Sequence, residues 1–349
     1  MGEKFSHLSY AKRLKIEALL QAKCSKEEIA KIVGVHISTI NREIQRGRYM
    51  HRNSDWTEEN RYSPEIAEEQ YRTKMKAKGR TPKIHKEEPL MQLIEDKIIH
   101  HKCSPYAALV QIKNEGYTGE MICVNTCYNY IKKNRFPALR MGNLCYRKAQ
   151  KGRKQKVQKR ANAGISIEQR PKKIDDREEF GHWEMDTVVG PQGKSKKCLL
   201  VLTERKARKE ILEILNGRTT KEVVRALNKI ERQMGSKTFR KMFKTITVDN
   251  GSEFADVQGL ESSYRNKKKR TQLYYCHPYT SSERGSNENQ NRMIRRHIPK
   301  GINFDNMTRT EVKKLEQWLN DYPRRLFHGL SANEVYAKEF YEELQEDTA

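Results

Sequence analysis

No apolar run in this 349-residue chain approaches the ~18 residues that a membrane-spanning helix requires, so no bilayer crossing is expected. The amino-terminal "MGEKFSHLSY" lacks the apolar stretch of a secretory signal, and secretion is not expected. It fits the myristoylation pattern only in part, so lipidation is not expected either. No cysteine pair has CxxC spacing, and the seven cysteines are an odd, irregularly placed set. Reduced thiols inside a cell are the expectation. His100, His101, Cys103, Cys123 and Cys127 are close in sequence, and zinc is the alternative there. Cys123 and Cys127 fall inside a helical pattern, which favours buried structural cysteines. Acidic residues are the scarce charge: 45 Asp plus Glu against 70 Lys plus Arg, a net +25. That is the electrostatic footprint of a polyanion binder. No long basic amphipathic helix is present to serve a membrane surface, so nucleic acid is the expected partner.

The length suggests two or three domains, and 36% hydrophobic residues suffice for cores in part of the chain. Residues 8–48 read as three short helices. The first runs from about Tyr10 to Ala22 with Leu14, Ala18 and Leu19 on one face. Ser25 caps the second, and Glu28 completes a capping box. That helix carries Ile29, Ala30, Ile32 and Val33 and stops at Gly34. The third runs from about Ser38 to Arg46 with Ile40 and Ile44 inward. Ala30, Gly34 and Ile40 have helix-turn-helix spacing: a small residue for close approach, glycine for the left-handed turn, a branched residue to lock the recognition helix. Ser38, Thr39, Asn41, Arg42 and Gln45 would face outward, and such side chains bond base edges and phosphates in a major groove. An ordinary protein-binding three-helix module is the alternative, and the basic charge argues for DNA.

Residues 51–88 are polar and broken by prolines, and read as a linker with one helix near Pro64–Lys78. Residues 89–140 are helical again. Ser104 and Pro105 form an N-cap and first-turn pair, Gly116 ends that helix, and Asn125–Lys132 forms another. A second helix-turn-helix and a plain helical spacer are both open. Residues 147–160, "RKAQKGRKQKVQKR", hold eight Lys or Arg and no acid, within a basic linker spanning 141–178. Such a run cannot bury a face, and it suits tracking a phosphate backbone.

From Gly181 the pattern changes to strands. "EMDTVVG", "CLLVLTE" and "EILEIL" read as three consecutive strands, although the last is also rich in helix formers. "TTKEVVRALNKIERQM" is an amphipathic helix, capped by Thr219 or Thr220. "KTITVD" and "TQLYYCHP" are strands, "NENQNRMIRRHI" is a helix, and the tail contributes a closing helix with Leu315, Trp318 and Leu319 packing. No internal repeat is visible there. This order is compatible with a ribonuclease-H-like sheet.

In such a sheet the first and fourth strands are neighbours, so Asp186 and Asp249 would converge, and Glu288 on the following helix could join them. Three carboxylates at one point repel unless cations lie between them. A pair of Mg²⁺ ions, with Mn²⁺ as a substitute, is the expected counter-charge, since hard cations prefer oxygen ligands. Two-metal sites of this kind serve phosphodiester chemistry.

"GHWEMDTVVG", "TVDNGSEF" and "SNENQNRMIRRHIPKG" resemble the three catalytic blocks of the insertion-sequence-thirty family of DDE transposases. "SIEQRP", residues 166–171, and the N-terminal "SKEEIAKIVGVHISTINREIQRGR" are also similar to that family. The resemblance covers about residues 8–337. It implies N-terminal all-α helix-turn-helix modules, then an α/β ribonuclease-H-like, retroviral integrase-like catalytic domain over 179–340. It places the catalytic, metal-holding carboxylates on Asp186, Asp249 and Glu288. The family's usual gap to the glutamate is shorter and would land on Glu283, and the surrounding block selects Glu288. Arg295, two helical turns after Glu288, is a candidate phosphate ligand, and Lys300 is a weaker one. Glu184 shares the strand face of Asp186 and is expected in a structural ion pair. Glu253 is expected to be solvated at a helix start, and His182 and Trp183 to secure the strand entry.

The implied organisation is a helix-turn-helix domain at 1–50, linker 51–88, helical module 89–140, basic linker 141–178 and catalytic domain 179–340. The implied activity is binding of an element's terminal inverted repeats, cleavage at its ends, and attack of the freed 3′-hydroxyl on target DNA. Both double-stranded DNAs are partners, and pairing two ends implies at least a homodimer. A bacterial cytoplasmic, nucleoid-associated location would follow. A related integrase or nuclease without inverted-repeat recognition is one alternative. A non-catalytic DNA-binding regulator is the other.

Overall fold

The computed structural model describes residues 7–78, 88–145, 164–191, 193–277, 283 and 285–345. The basic run at 147–160 lies outside the described residues. The chain divides into two compact units, 1–83 and 84–349.

In the first unit, α1 (Tyr10–Gln21), α2 (Lys26–Val33) and α3 (Ile37–Arg46) are followed by a hairpin of β1 (Arg48–Arg52) and β2 (Glu58–Tyr62), then α4 (Pro64–Ala77). Ser25 and Glu28 form the expected capping box, and Gly34 adopts φ +70°, the left-handed conformation that suits glycine. Ile16, Ile29 and Ile40 are fully buried together with Ala67 of α4. The stretch expected to be linker is therefore largely ordered: hairpin and α4 complete this core. Gly47 makes that possible, since a Cβ there would lie 2.5 Å from the Ser63 carbonyl oxygen.

The inward face of α1 differs from expectation. Leu14 and Ala18 are exposed and Arg13 is buried instead. Its Nε donates to Glu43 Oε1 over 2.7 Å and its Nη1 to Glu68 Oε2 over 2.6 Å. Two carboxylate partners, Glu43 buried and Glu68 half-buried, make arginine the interior residue, against its ordinary preference. Of the apolar residues on α2, Ile32 is exposed.

The second unit starts with α5 (Pro89–Ile99), α6 (Pro105–Asn114) and α7 (Val124–Lys132). A five-stranded sheet follows, ordered β5-β4-β3-β6-β7, with β3 (His182–Val189), β4 (Cys198–Glu204), β5 (Glu210–Leu215), β6 (Thr245–Val248) and β7 (Gln272–Tyr275). The β3–β4 and β4–β5 pairs are antiparallel, and β3–β6 and β6–β7 are parallel. Between β5 and β6 run α8 (Thr220–Met234) and α9 (Ser236–Met242), and α10 (Val257–Glu261) precedes β7. The chain continues through α11 (Gly285–His297), α12 (Arg309–Asp321) and α13 (Ala332–Gln345). "EILEIL" is a strand: pairing with β4 and burial of Leu212 and Leu215 override its helix propensity.

Strand alternation sorts the sheet into two faces. Trp183, Met185, Leu200, Leu202, Ile246 and Val248 pack with α8 and α9. Val188, Leu199, Val201 and Leu212 pack with α11 and α12. That second core also contains Leu90, Ile94, Ile112, Ile131 and Leu139. Residues 89–140 thus share one interior with the sheet instead of forming a separate module. Cys103 and Cys127 are buried there, and burial raises both thiols to about 12. Among the described residues no helix is long and apolar enough to cross a membrane.

Candidate active site

The β3–β6 register aligns Glu184 with Thr247. Two residues on from this pair stand Asp186, within β3, and Asp249, just past the end of β6. Period-two alternation places Asp186 on the face that carries α11. Asp249 is the first residue past β6, where the backbone turns. The Gly251 N–H donates to Asp249 Oδ1 over 2.9 Å, and Asn250 Nδ2 ties the turn to the Cys276 carbonyl over 2.8 Å.

Helix α11 is held against this strand end at three points. The Asn287 N–H donates to Glu184 Oε2 over 2.9 Å. Asn291 Nδ2 donates to Asp186 Oδ2 over 2.8 Å. Arg295 Nη2 donates to the Val189 carbonyl over 2.9 Å. Glu184 is fully buried, and its other oxygen accepts from Arg205 Nη1 over 2.7 Å. It is the structural ion pair expected, and it also anchors the first turn of the helix bearing Glu288. Arg295 is placed at the end of β3, bonded to a backbone carbonyl. Lys300 is exposed just beyond α11.

Glu288 lies one helical turn before Asn291, on the same stripe of α11, and its side chain is exposed. Among the described residues no three His, Cys, Asp or Glu side chains are gathered closely enough to hold a metal ion. The Glu288 carboxylate stays in solvent. An exposed glutamate keeps its hydration there, whereas three close carboxylates repel. Glu283 is committed elsewhere: its carboxylate accepts from the His277 N–H over 2.8 Å and meets His277 Nδ1 at 2.7 Å.

Glu253 departs from expectation. It is buried at 1% exposure, and its Oε1 accepts from Thr187 Oγ1 over 2.8 Å and Arg218 Nε over 2.6 Å. Its neighbour Phe254 enters the apolar core and draws the glutamate in, where Arg218 balances the charge. A Cβ at Gly251 would lie 2.6 Å from Glu253 Oε2 and 2.9 Å from Asp249 Oδ1, so a larger residue there would push on both carboxylates. His182 is buried with Nδ1 2.8 Å from Thr245 Oγ1, at the strand end away from Asp186. Burial lowers its pKa. Trp183 Nε1 donates to the Met242 carbonyl over 2.6 Å. Both secure the strand entry. In "SIEQRP", Arg170 Nη1 donates to Thr247 Oγ1 over 2.9 Å, buttressing β6 two residues before Asp249.

In the first unit Asn41, Arg42 and Gln45 are exposed on α3, while Ser38 and Thr39 are half-buried. Ser38 is engaged by His36, whose Nδ1 lies 2.8 Å from Ser38 Oγ and accepts its N–H. Sequence reasoning missed the roles of Asn291, Arg170 and Arg205. For Asn291 a signal existed, since three residues after Glu288 is the same helix face.

A helix-turn-helix domain model matches residues 4–47, and an integrase core domain model matches residues 176–281. The transposase for insertion sequence element IS4351 of Bacteroides fragilis is 31% identical over 344 residues, 95% of each chain. The chain belongs to the IS30 family of insertion-sequence transposases. The transposase InsI for insertion sequence element IS30A of Escherichia coli K12 is 27% identical over 346 residues, covering 95% of this chain and 83% of that one. A probable transposase for insertion-like sequence element IS1161 of Streptococcus salivarius is 26% identical over 366 residues, 96% of this chain and 95% of its own. The transposase is a DDE enzyme with a helix-turn-helix DNA-binding region and an integrase core. The alternative of a regulator whose sheet only mediates assembly is set aside.

Proposed function

We propose that this transposase binds the terminal inverted repeats of its own element through α3, cleaves at the element ends, and joins the freed 3′-hydroxyl to target DNA. The observation that carries the proposal is the parallel pairing of β3, which bears Asp186, with β6, which leads into Asp249, together with the bond from α11 to Asp186. Asn41, Arg42 and Gln45 read base edges and phosphates, and Ser38 and Thr39 border the contact. Asp186, Asp249 and Glu288 form the catalytic set, with Glu288 turning inward from its exposed position.

A divalent metal fits this donor set, because every ligand offered is a carboxylate oxygen and none is soft. Asp186, Asp249 and Glu288 would hold it, and two Mg²⁺ ions, replaceable by Mn²⁺, suit three carboxylates. When bound, the metal supplies Lewis acidity and charge neutralisation at the phosphodiester. Asn291 fixes the rotamer of Asp186, Glu184 fixes the start of α11, and Gly251 keeps the Asp249 carboxylate in place. Arg295 and Lys300 lie on the side where the DNA backbone would approach. Handling two ends calls for at least a dimer in the active assembly, working on DNA in the bacterial cytoplasm.

The test is cleavage and joining on DNA carrying the gene's own flanking ends, with Mg²⁺ or Mn²⁺, with chelator, and with Asp249→Ala. Products that depend on metal and vanish in the variant, with end binding retained, are expected. Products that persist in Asp249→Ala would remove it from the catalytic set.

A further inference from the structure

Beside α11 lies a cavity of about 550 Å³, separate from the aspartates. Five arginines line it: Arg177, Arg208, Arg296, Arg324 and Arg325. No aspartate or glutamate is among its lining residues. Arg296 Nη1 donates to the Tyr322 hydroxyl over 3.0 Å and to the Lys102 carbonyl over 3.3 Å. Arg208 donates to Ser286 Oγ, and Arg324 Nη2 to the Leu319 carbonyl over 3.0 Å. These acceptors are all neutral. Burial first, and the neighbouring Arg177 next, lower the Arg208 guanidinium to about 10. Glu184 and Glu204 oppose that shift from behind Arg208, but the cavity wall itself carries five guanidiniums and no acid, which suits an anion. Tyr106, Tyr128 and Tyr322 supply aromatic walls, with Tyr128 41% exposed.

The cavity also has a fixed relation to the catalytic helix. Ser286, Asn289, Gln290, Met293 and Arg296 face it along one stripe of α11. The stripe bearing Glu288, Asn291 and Arg295 meets the end of β3. One rigid helix therefore separates the two. We propose that this cavity binds one nucleotide of a DNA strand, the arginines holding its phosphate and a tyrosine face stacking its base. Guanidinium forks match phosphate geometry, and base–aromatic stacking tolerates any sequence. The volume suits a single nucleotide. A strand seated there is held at a set distance from Glu288 by α11. This rests on the chain being a DNA transposase but not on which carboxylates are catalytic.

The test uses the full-length protein and a fluorescein-labelled ten-thymidine strand, which presents no major groove to α3. Arg177 and Arg325 are the residues to change, since among the described residues neither side chain makes a hydrogen bond or ion pair. R177A/R325A should weaken strand binding about tenfold, and its log–log salt slope should flatten by roughly 0.7 for each phosphate no longer neutralised. R177K/R325K should recover part of the affinity, with the melting temperature unchanged in both. Replacing the thymidines by abasic sugar-phosphate should cost wild type about tenfold and Tyr128→Ala little. Asp249→Ala should bind the strand as wild type does, whether or not it cleaves. Equal strand affinity in R177A/R325A and wild type would overturn the proposal. So would an abasic strand bound as tightly as ten thymidines. Thymidine monophosphate binding more tightly than the strand would assign the cavity to a free nucleotide instead, and inorganic phosphate serves as the baseline competitor.

Discussion

Asn291 Nδ2 lies 2.8 Å from Asp186 Oδ2, so the helix that carries Glu288 is hydrogen-bonded directly to the first aspartate. The other Asp186 oxygen accepts from the Thr187 N–H over 2.8 Å. The carboxylate is thereby held from both sides. Partners that orient a metal-holding carboxylate typically contribute about 10–100-fold to affinity or activity. Asn291→Ala should therefore lower cleavage by roughly that factor and raise the Mg²⁺ concentration needed for half-maximal rate. Asn291→Asp, which places a second negative charge against Asp186, should be worse than alanine. A metal titration of the cleavage rate decides it. An unchanged half-saturation point in Asn291→Ala would sink the positioning role.

Glu288 and Glu283 separate cleanly. Glu283 is bonded to His277, and the two partners together hold the His277 pKa above its ordinary range, with the Glu283 hydrogen bond the larger cause and that of Glu168 next. Glu288→Gln should abolish cleavage and joining, a loss on the order of 10³-fold for several kcal/mol of charge stabilisation. Glu283→Gln should retain most activity. Parallel assays with both variants on one substrate check this, and the reverse ranking would move the third carboxylate to Glu283.

Arg13 is the interior charge of the first unit, with Glu43 buried opposite at 1% exposure. Removing one partner of a buried pair costs about 3–5 kcal/mol when the other charge is left alone, and here Arg46 still meets Glu43, so the cost falls toward the lower end of that range. Arg13→Ala should destabilise this unit by that order and weaken DNA-end binding indirectly. Replacing Arg13 and Glu43 together by methionine and leucine should be much milder. Urea denaturation of the variants measures both. Arg13→Ala within 1 kcal/mol of wild type, about the size of a surface pair, would show the cluster to be dispensable.

Glu204 supplies a pH signature. It is fully buried, and burial raises its pKa to about 7 although it accepts from the Gly181 and Ala207 N–H groups. An unfolded glutamate titrates near ~4.3. Between those values the folded state binds more protons than the unfolded state, so stability falls as pH rises through this window. The melting temperature should drop from about pH 5 to pH 8 with part of that drop removed in Glu204→Gln. Identical slopes in the two proteins would exclude Glu204 as its source.

The helix-turn-helix and the strand order were legible in the sequence because they rest on local chemistry. Ser25 and Glu28 write a capping box, Gly34 permits a left-handed turn, and alternating apolar residues write β3 and β4. That β3 and β6 lie side by side could be expected from the strand order, and the structure pairs them in parallel. The interior of α1 could not be read that way. Arg13 is buried only because Glu43 and Glu68 arrive from other helices, and charge pairing across elements leaves no periodic trace. Glu253 looked like a surface acid for the same reason, its partners Thr187 and Arg218 being remote in sequence. Residues 89–140 showed their helices in caps and spacing. Only the folded chain decided that those helices close the same core as the sheet, because burial is a property of what packs on a face, and the face alone does not name its neighbour.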